Sequence, residues 1–362
     1  MPREAVQTKY DELRPASRMR AAVLYGSEDL RIEEVDVPGI GGDEILLRVR
    51  AALTDGTDLK VWKRGYHARM IRPPAIFGHE VTGEIAAAGP EVDSRWQVGM
   101  RVVPANSAPC LACFYCCRGQ ENLCEDLLFN NGAYAEYLRI PGRIVQQNLL
   151  EVPDQVSDLD AALAEPLACV LRGIEEIETA VAGPVVVIGC GPIGLTFIRL
   201  LAHRGAQVIA LARREEQLEA ARRLGAAATL NVAEIPDPVR AVRKLTPGGR
   251  GADGVVEAAG TTTTWQWALA MVRRGGVVNL FSGLPRGTRM EIEPAAIHYS
   301  EITVKSTFHH TPRHFREALG VLARGEISAR DLVSREIRLA QLPSAFEKMK
   351  SGRSVIKLAV RP

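Results

Sequence analysis

Four cysteines, Cys110, Cys113, Cys116 and Cys124, fall in the stretch PCLACFYCCRGQENLC with the spacing C-x2-C-x2-C-x7-C. Such spacing lets four thiolates surround one Zn2+ at about 2.3 Å each, and a fully sulfur-ligated zinc has no open position, so the metal it predicts is structural. Cys117 adjoins Cys116 as an alternative ligand, but the register C-x-x-G-x-x-N-L-C selects Cys116. Cys169 and Cys190 read as small buried residues. A second stretch able to do chemistry is residues 185–194, VVVIGCGPIG. In such a strand–turn–helix, Gly189 permits the tight turn, Gly191 lets the backbone approach a pyrophosphate, and Gly194 lets helix and strand pack closely. Pro192 and Ile193 then open a helix whose N-terminus faces the negative charge.

The choice of dinucleotide is read at the end of the next strand. A site for NAD places Asp or Glu about 20 residues past the glycine turn, on the ribose 2′-hydroxyl. In QVIALARREEQL that place is held by Ala212, followed by Arg213 and Arg214. Guanidinium groups suit a 2′-phosphate by charge and by forked hydrogen bonding, so NADP is expected over NAD. The same arginines could instead pair with Glu215 and Glu216 on a helix surface.

These motifs require elements to hold them. Ile193, Thr196, Phe197, Leu200 and Leu201 recur at helical spacing after the glycine turn. From there to residue 305 strand and helix signals alternate, which predicts a doubly wound parallel sheet with helices on both faces. Residues 19–143 read instead as short strands (AAVLY, EILLRVRAAL, EVTGEIAAAG, RVVPA) broken by Gly and Pro, as in a small β-barrel or sandwich. The C-terminal helix and the closing strand near VIKLAV are expected to return to that first domain. Residues 1–18 read as a polar extension.

Composition limits the partners. The chain has 362 residues, 46% of them hydrophobic, enough for two cored domains, and its net charge of +2 argues against a nucleic-acid partner. No apolar run is long enough to span a bilayer, and the charged N-terminal segment has no apolar core of signal-peptide type. A cytoplasmic protein is expected, a reducing setting in which clustered cysteines hold metal.

Together VVVIGCGPIG, FGHE, the four-cysteine loop, TDGTDLK and AEPLACVL resemble the zinc-containing medium-chain dehydrogenase/reductase superfamily, in its polyol and sugar dehydrogenase branch. The resemblance implies an α/β architecture: a GroES-like β-barrel catalytic domain (residues 19–167 and 306–362) with a Rossmann domain (residues 168–305) inserted. It implies a second, catalytic zinc and a homodimer or homotetramer. The family carries Cys-Gly-Thr/Ser-Asp where this chain has Asp55-Gly56-Thr57-Asp58, so a carboxylate replaces the first thiolate ligand. Asp also ligates zinc, though a harder oxygen donor makes the site less zinc-selective. By the resemblance His79 is the second ligand and Glu165 the third, while Glu80 adjoins the site as ligand or neighbour. Asp58 would accept the other ring N–H of His79.

The resemblance also implies that Thr57 takes the substrate proton. Where many relatives pass it on through a His, this chain has Lys60, a poorer relay at neutral pH and equally a candidate to anchor cofactor ribose or phosphate. Ala258–Gly260, including Ala259, would flank the adenine side, Phe281, Ser282 and Gly283 the nicotinamide, and Phe308 and His309 would close over both. At the places where the family lids small apolar alcohols stand Trp62, His67, His309 and His310, which fit a polyhydroxylated substrate. Lys60, Lys63, Arg64, His67, Arg69 and Arg72 bring positive charge with no acid among them, as a solvated face or as a site for a substrate phosphate or carboxylate. The reading is therefore a zinc-dependent oxidoreductase that moves hydride between NADP(H) and a polyol, cyclitol or sugar, with or without a phosphate. A metal-free quinone or enoyl reductase and a non-catalytic NADPH-binding protein are the alternatives.

Overall fold

The computed structural model describes residues 17–67, 69–350 and 356–362, so most of the N-terminal extension expected over residues 1–18 lies outside the described residues. The chain forms two compact units. One comprises the chain up to Glu165 with Thr311–Ala323 and Val333–Pro362; the other comprises Pro166–His310 and Arg324–Leu332.

The first unit is built on a sheet in the order Leu149–Glu151, Arg101–Pro104, Glu80–Ala88, Ile45–Leu53, Lys357–Arg361, Val333–Arg338, with Tyr137–Ile140 also paired to Ile45–Leu53. Ile45–Leu53 is buried on both faces over most of its length, which suits its run of Ile, Leu, Val and Ala. Two registers position everything that follows. Leu53 pairs with Glu80, so the chain leaving one strand and the chain entering the next meet at the same end of the sheet. Leu53 also pairs with Ala359 of the antiparallel C-terminal strand, which brings Lys357 to that end. Thr54 closes the junction: its N–H donates to the Leu358 carbonyl (3.0 Å), and its Oγ1 accepts from the Leu358 N–H (3.0 Å). Trp62, Phe77, Tyr134 and Phe346 fill the core beneath.

The second unit is a parallel six-stranded sheet in the order Ala228–Asn231, Gln207–Ala212, Pro184–Ile188, Ala252–Glu257, Val272–Leu280, Thr303–Ser306. Pro184–Ile188 is fully buried along its length, as a central parallel strand covered by helices must be. After it the chain crosses to one neighbour by helix Pro192–His203, and the other neighbour is reached only later in sequence. The strand order therefore reverses at Pro184–Ile188, the place where such sheets open a crevice at their carboxyl ends.

The glycines of the turn are set by backbone distances. Gly189 has φ +97°, outside the range comfortable for side chains. A Cβ on Gly194 would lie 1.8 Å from the Gly189 carbonyl oxygen, so no side chain fits there unless helix and turn separate. Gly194→Ala is expected to cost about 1–3 kcal/mol by overpacking and to weaken dinucleotide binding. Thermal melting and cofactor titration of the variant check this, and an unchanged melt and titration would refute it.

Candidate metal and dinucleotide sites

At the sheet end where Leu53 meets Glu80, four carboxylates, one imidazole and one ammonium gather in the first unit. Asp55 is the N-cap of helix Gly56–Arg64: its Oδ1 accepts from the Asp58 N–H (2.7 Å), and Asp58 Oδ2 accepts from the Asp55 N–H (3.1 Å), a reciprocal capping box. The other oxygen of each residue turns toward His79. Asp58 Oδ1 lies 3.1 Å from His79 Nδ1, and Asp55 Oδ2 lies 3.8 Å from His79 Nε2. With the Nδ1 proton directed at the Asp58 carboxylate, Nε2 faces Asp55. Asp58, His79, Glu80 and Glu165 are all buried. Glu80 forms a buried ion pair with Lys357, Nζ lying 2.5 and 2.7 Å from its two oxygens, and Asn106 Nδ2 donates to Glu165 Oε1 (3.0 Å).

Burial dominates the electrostatics. It pushes the Glu80 carboxyl up to about 8 despite Lys357, and it raises Asp58 and Glu165 above the ordinary carboxylate range. Burial alone would depress the His79 imidazole, but Asp58 and Asp55 outweigh it and hold it well above its usual value. Beside burial, the carboxylates of Asp55, Asp58, Glu80 and Glu165 act on one another and on His79, with Lys357 paired to Glu80. Two overlapping groups of donor atoms share His79: Asp55, Asp58 and His79, and His79, Glu80 and Glu165, each with its atoms within 4.8 Å of one another. Oxygen and nitrogen ligands at 2.0–2.2 Å from a tetrahedral zinc stand about 3.4 Å apart. Donor types and spacing therefore fit a divalent cation.

In the cysteine loop Cys110, Cys113, Cys116 and Cys124 converge, with Sγ–Sγ distances of 4.0 Å (Cys110–Cys116) and 3.9 Å (Cys113–Cys124). Ligands of a tetrahedral Zn–S4 centre stand about 3.8 Å apart. Backbone N–H groups point at the sulfurs: Cys113 N–H at Cys110 Sγ (3.3 Å), Cys110 N–H at Cys124 Sγ (3.2 Å), and Glu125 N–H at Cys113 Sγ (3.5 Å). Backbone hydrogen bonds hold the Cys113 thiol down at about 6. Cys117 points elsewhere, its Sγ donating to the Ala112 carbonyl (3.5 Å).

In the second unit the expected cofactor residues gather at the carboxyl ends of the strands. Gly191 is the N-cap of helix Pro192–His203, and a Cβ placed on it meets nothing within 4 Å, so the space before the helix N-terminus is open. Ala212 ends its strand buried, and Arg213 beyond it is exposed. Glu215 pairs with Arg222 (2.6 Å). Glu257 caps the next turn, its Oε1 accepting from the N–H groups of Ala259 (2.9 Å) and Gly260 (2.7 Å). The N–H groups of Phe281 and Ser282 both donate to the Glu257 carbonyl (3.0 and 3.1 Å), and Gly283 follows with open space around it. Phe308 is 46% exposed, while the ring centroids of His309 and His310 lie 4.2 Å apart with the rings tilted by 35°.

Other expected residues fall differently. Thr57 is half-buried in the first turn of helix Gly56–Arg64, and Lys60 and Arg64 are exposed. Trp62 is not a lining residue: it is 1% exposed, with its ring 5.6 Å from Phe346 in the core. It occupies the buried stripe of its amphipathic helix beside Val61, which helical spacing outweighs any lid position by analogy. His67 is half-buried and spends Nδ1 on the N–H groups of Arg69 (3.3 Å) and Met70 (3.1 Å). Three residues that contact the His79 group were not anticipated: Lys357 on Glu80, Asn106 on Glu165 and Tyr134 on Asp58. For Lys357 a signal existed, a lone cation inside the apolar run VIKLAV.

Comparison with known proteins agrees with this geometry. The alcohol dehydrogenase GroES-like domain matches residues 41–154, and the zinc-binding dehydrogenase domain matches residues 192–324. The chain is 31% identical over 352 residues to sorbitol dehydrogenase of Bacillus subtilis (strain 168), covering 95% of this chain and 97% of the relative. The chain belongs to the zinc-binding medium-chain dehydrogenases. The dehydrogenase is also 30% identical to L-threonine 3-dehydrogenase of Bacillus licheniformis, over 90% of this chain and 94% of that one. The NADP-bound zinc-binding dehydrogenase structure from Sinorhizobium meliloti 1021 superposes with a TM-score of 0.87 at 30% identity, covering 96% of this chain and 100% of that one. The dehydrogenase is thus a zinc-dependent, NAD(P)-linked alcohol or polyol dehydrogenase with a structural four-cysteine cluster, a GroES-like domain and a Rossmann-type sheet. No helix among its described residues is long and apolar enough to cross a membrane.

Since Cys117 stands outside the sulfur cluster, Cys116→Ser should remove one zinc per chain and Cys117→Ser none. Elemental analysis of the two purified variants checks this, and equal loss from both would reverse the assignment.

Proposed function

We propose that the dehydrogenase oxidises a secondary alcohol of a polyol, cyclitol or sugar, free or phosphorylated, with NADP+ as acceptor, and works as a cytoplasmic homodimer or homotetramer. The observation that carries the reading is the buried group of carboxylates around His79. In this reading residues 19–167 with 306–362 form the catalytic domain and residues 168–305 the dinucleotide domain. Asp55, His79 and Glu165 hold the catalytic metal, with Glu80 adjoining.

When bound, zinc supplies a Lewis acid that makes a substrate hydroxyl more acidic, and the nicotinamide supplies a hydride acceptor. The chain's own residues do the rest. Asp58 accepts a hydrogen bond from the Nδ1–H of His79, which leaves the Nε2 lone pair for ligation. The helix cap occupies Asp55 Oδ1, so Asp55 offers the single oxygen Oδ2 to the site. Asn106 orients Glu165 through Oε1. The Thr57 hydroxyl, two residues from Asp55, accepts the substrate proton as it passes its own on to solvent, and exposed Lys60 either relays that proton in its neutral form or anchors the cofactor.

The polyol class is supported by the likeness to sorbitol dehydrogenase, and a phosphorylated substrate by the exposed cations Lys60, Lys63, Arg64, Arg69 and Arg72. NADP is supported by the absence of a carboxylate at Ala212, by exposed Arg213, and by the pairing of Glu215 with Arg222.

Two measurements test the proposal. Wild-type protein should hold two zinc ions per chain and Asp55→Ala one, with activity on a panel of polyols, sugar phosphates and L-threonine lost in the variant. One zinc in both, with turnover retained, would favour the metal-free reductase. Replacing Arg213 and Arg214 by Ser removes charge-assisted contacts worth about 1.5–3 kcal/mol, so kcat/KM with NADP should fall roughly 10–100-fold more than with NAD. An equal fall for both cofactors would sink the NADP assignment.

A further inference from the structure

Tyr134 is fully buried in the first unit, yet it carries a polar group into the floor of the His79 cluster. A buried tyrosine hydroxyl needs a partner, and this one has two in reach: Asp58 Oδ2 at 2.5 Å and the Leu53 carbonyl at 3.0 Å. A hydroxyl has one proton, and the shorter contact to a carboxylate is the stronger acceptor. Asp58 then has three of its roughly four lone-pair sites in use. Oδ1 serves His79, while Oδ2 accepts from Tyr134 and from the Asp55 N–H.

The rest of Tyr134 braces the segment that carries His79. Its N–H donates to the Phe77 carbonyl (2.9 Å), and the N–H groups of Gly132 and Ala133 donate to the Gly78 carbonyl (2.9 and 3.1 Å). Its ring meets Phe77 edge-on at 5.7 Å. It also lies flat against Gly78, where an added Cβ would stand 2.7 Å from Tyr134 Cδ2. Gly78 has φ +92°, so both backbone conformation and ring contact require glycine there. One side chain thus touches both halves of the cluster, the strand-entry segment bearing His79 through its ring and the helix cap bearing Asp55 and Asp58 through its hydroxyl.

We propose that Tyr134 is a positioning residue of the metal site, its hydroxyl locking the Asp58 carboxylate so that the His79 imidazole is held in the plane and tautomer that ligation needs. The inference rests on the metal-site reading above. Phenylalanine would fill the same space and keep the ring contacts with Phe77 and Gly78, so Tyr134→Phe isolates the hydroxyl. Loss of groups that orient a metal-bound histidine typically costs 10–100-fold in affinity. Tyr134 acts one hydrogen bond further out, and a loss of about tenfold is expected at the His79 site.

The test is zinc affinity at each site, measured by chelator competition on full-length wild type, Tyr134→Phe, Asp58→Asn and the double variant, with the four-cysteine site as internal reference. The expected result is a roughly tenfold weaker His79 site in Tyr134→Phe, an unchanged four-cysteine site, and less than a twofold further effect of Tyr134→Phe once Asp58 is Asn. The Co2+-substituted His79 site should also shift its visible absorption in Tyr134→Phe. Unchanged affinity and spectrum in a protein that holds two zinc ions would overturn the role of Tyr134 alone. A tenfold loss that persists in the Asp58→Asn background would overturn it too, by showing that the hydroxyl acts elsewhere. Weakening of both sites together would mark general destabilisation and count against it. A wild type that holds only one zinc would overturn the metal-site reading and this inference with it.

Discussion

Buried negative charge is the constraint on which the first unit depends. Removing a carboxylate from water costs several kcal/mol even after the protein relaxes, and here Asp55, Asp58, Glu80 and Glu165 are withdrawn together. The chain offsets part of this locally. Lys357 pairs with Glu80, the first turn of a helix donates N–H groups to Asp55, and Tyr134 and His79 engage Asp58. In the proposed reading, a cation bound beside His79 offsets what remains.

The departure of Asp55 from the family's cysteine becomes intelligible in this setting. A carboxylate has two oxygens, and the fold uses them for different ends: one completes the capping box of helix Gly56–Arg64, and the other faces His79. An N-cap carboxylate is worth about 1 kcal/mol to its helix, a role a thiol fills poorly as a weak acceptor. In the proposed reading, aspartate here anchors the helix start and turns the donor set toward harder oxygen ligation in one step.

The dinucleotide site follows a different logic. Its parts are turns at the ends of parallel strands, and each turn is closed by short-range contacts: Gly194 packs on Gly189, Glu257 caps the turn after its own strand, and the Phe281 and Ser282 N–H groups return to the Glu257 carbonyl. The sheet order then brings these turns to one edge. Little there depends on buried charge, and much depends on where the backbone can approach a ligand.

That contrast decides what could be read before the fold was known. The glycine turn, the cysteine loop and the parallel sheet were legible because their meaning lies in short spacings, where geometry between neighbours in sequence is nearly geometry in space. Asp55, His79 and Glu165 could be named by resemblance, but nothing in the sequence joins them. Only the registers Leu53–Glu80 and Leu53–Ala359 bring Asp55, His79, Glu80 and Lys357 to one sheet end. Trp62 shows the converse, a residue assigned to a lid by analogy and claimed by the core because its helix turns that face inward. Residue types and local spacing determined which chemistry the chain carries. Tertiary structure decided which groups share it, because strand register and burial set distances and protonation between residues as far apart in sequence as Glu80 and Lys357.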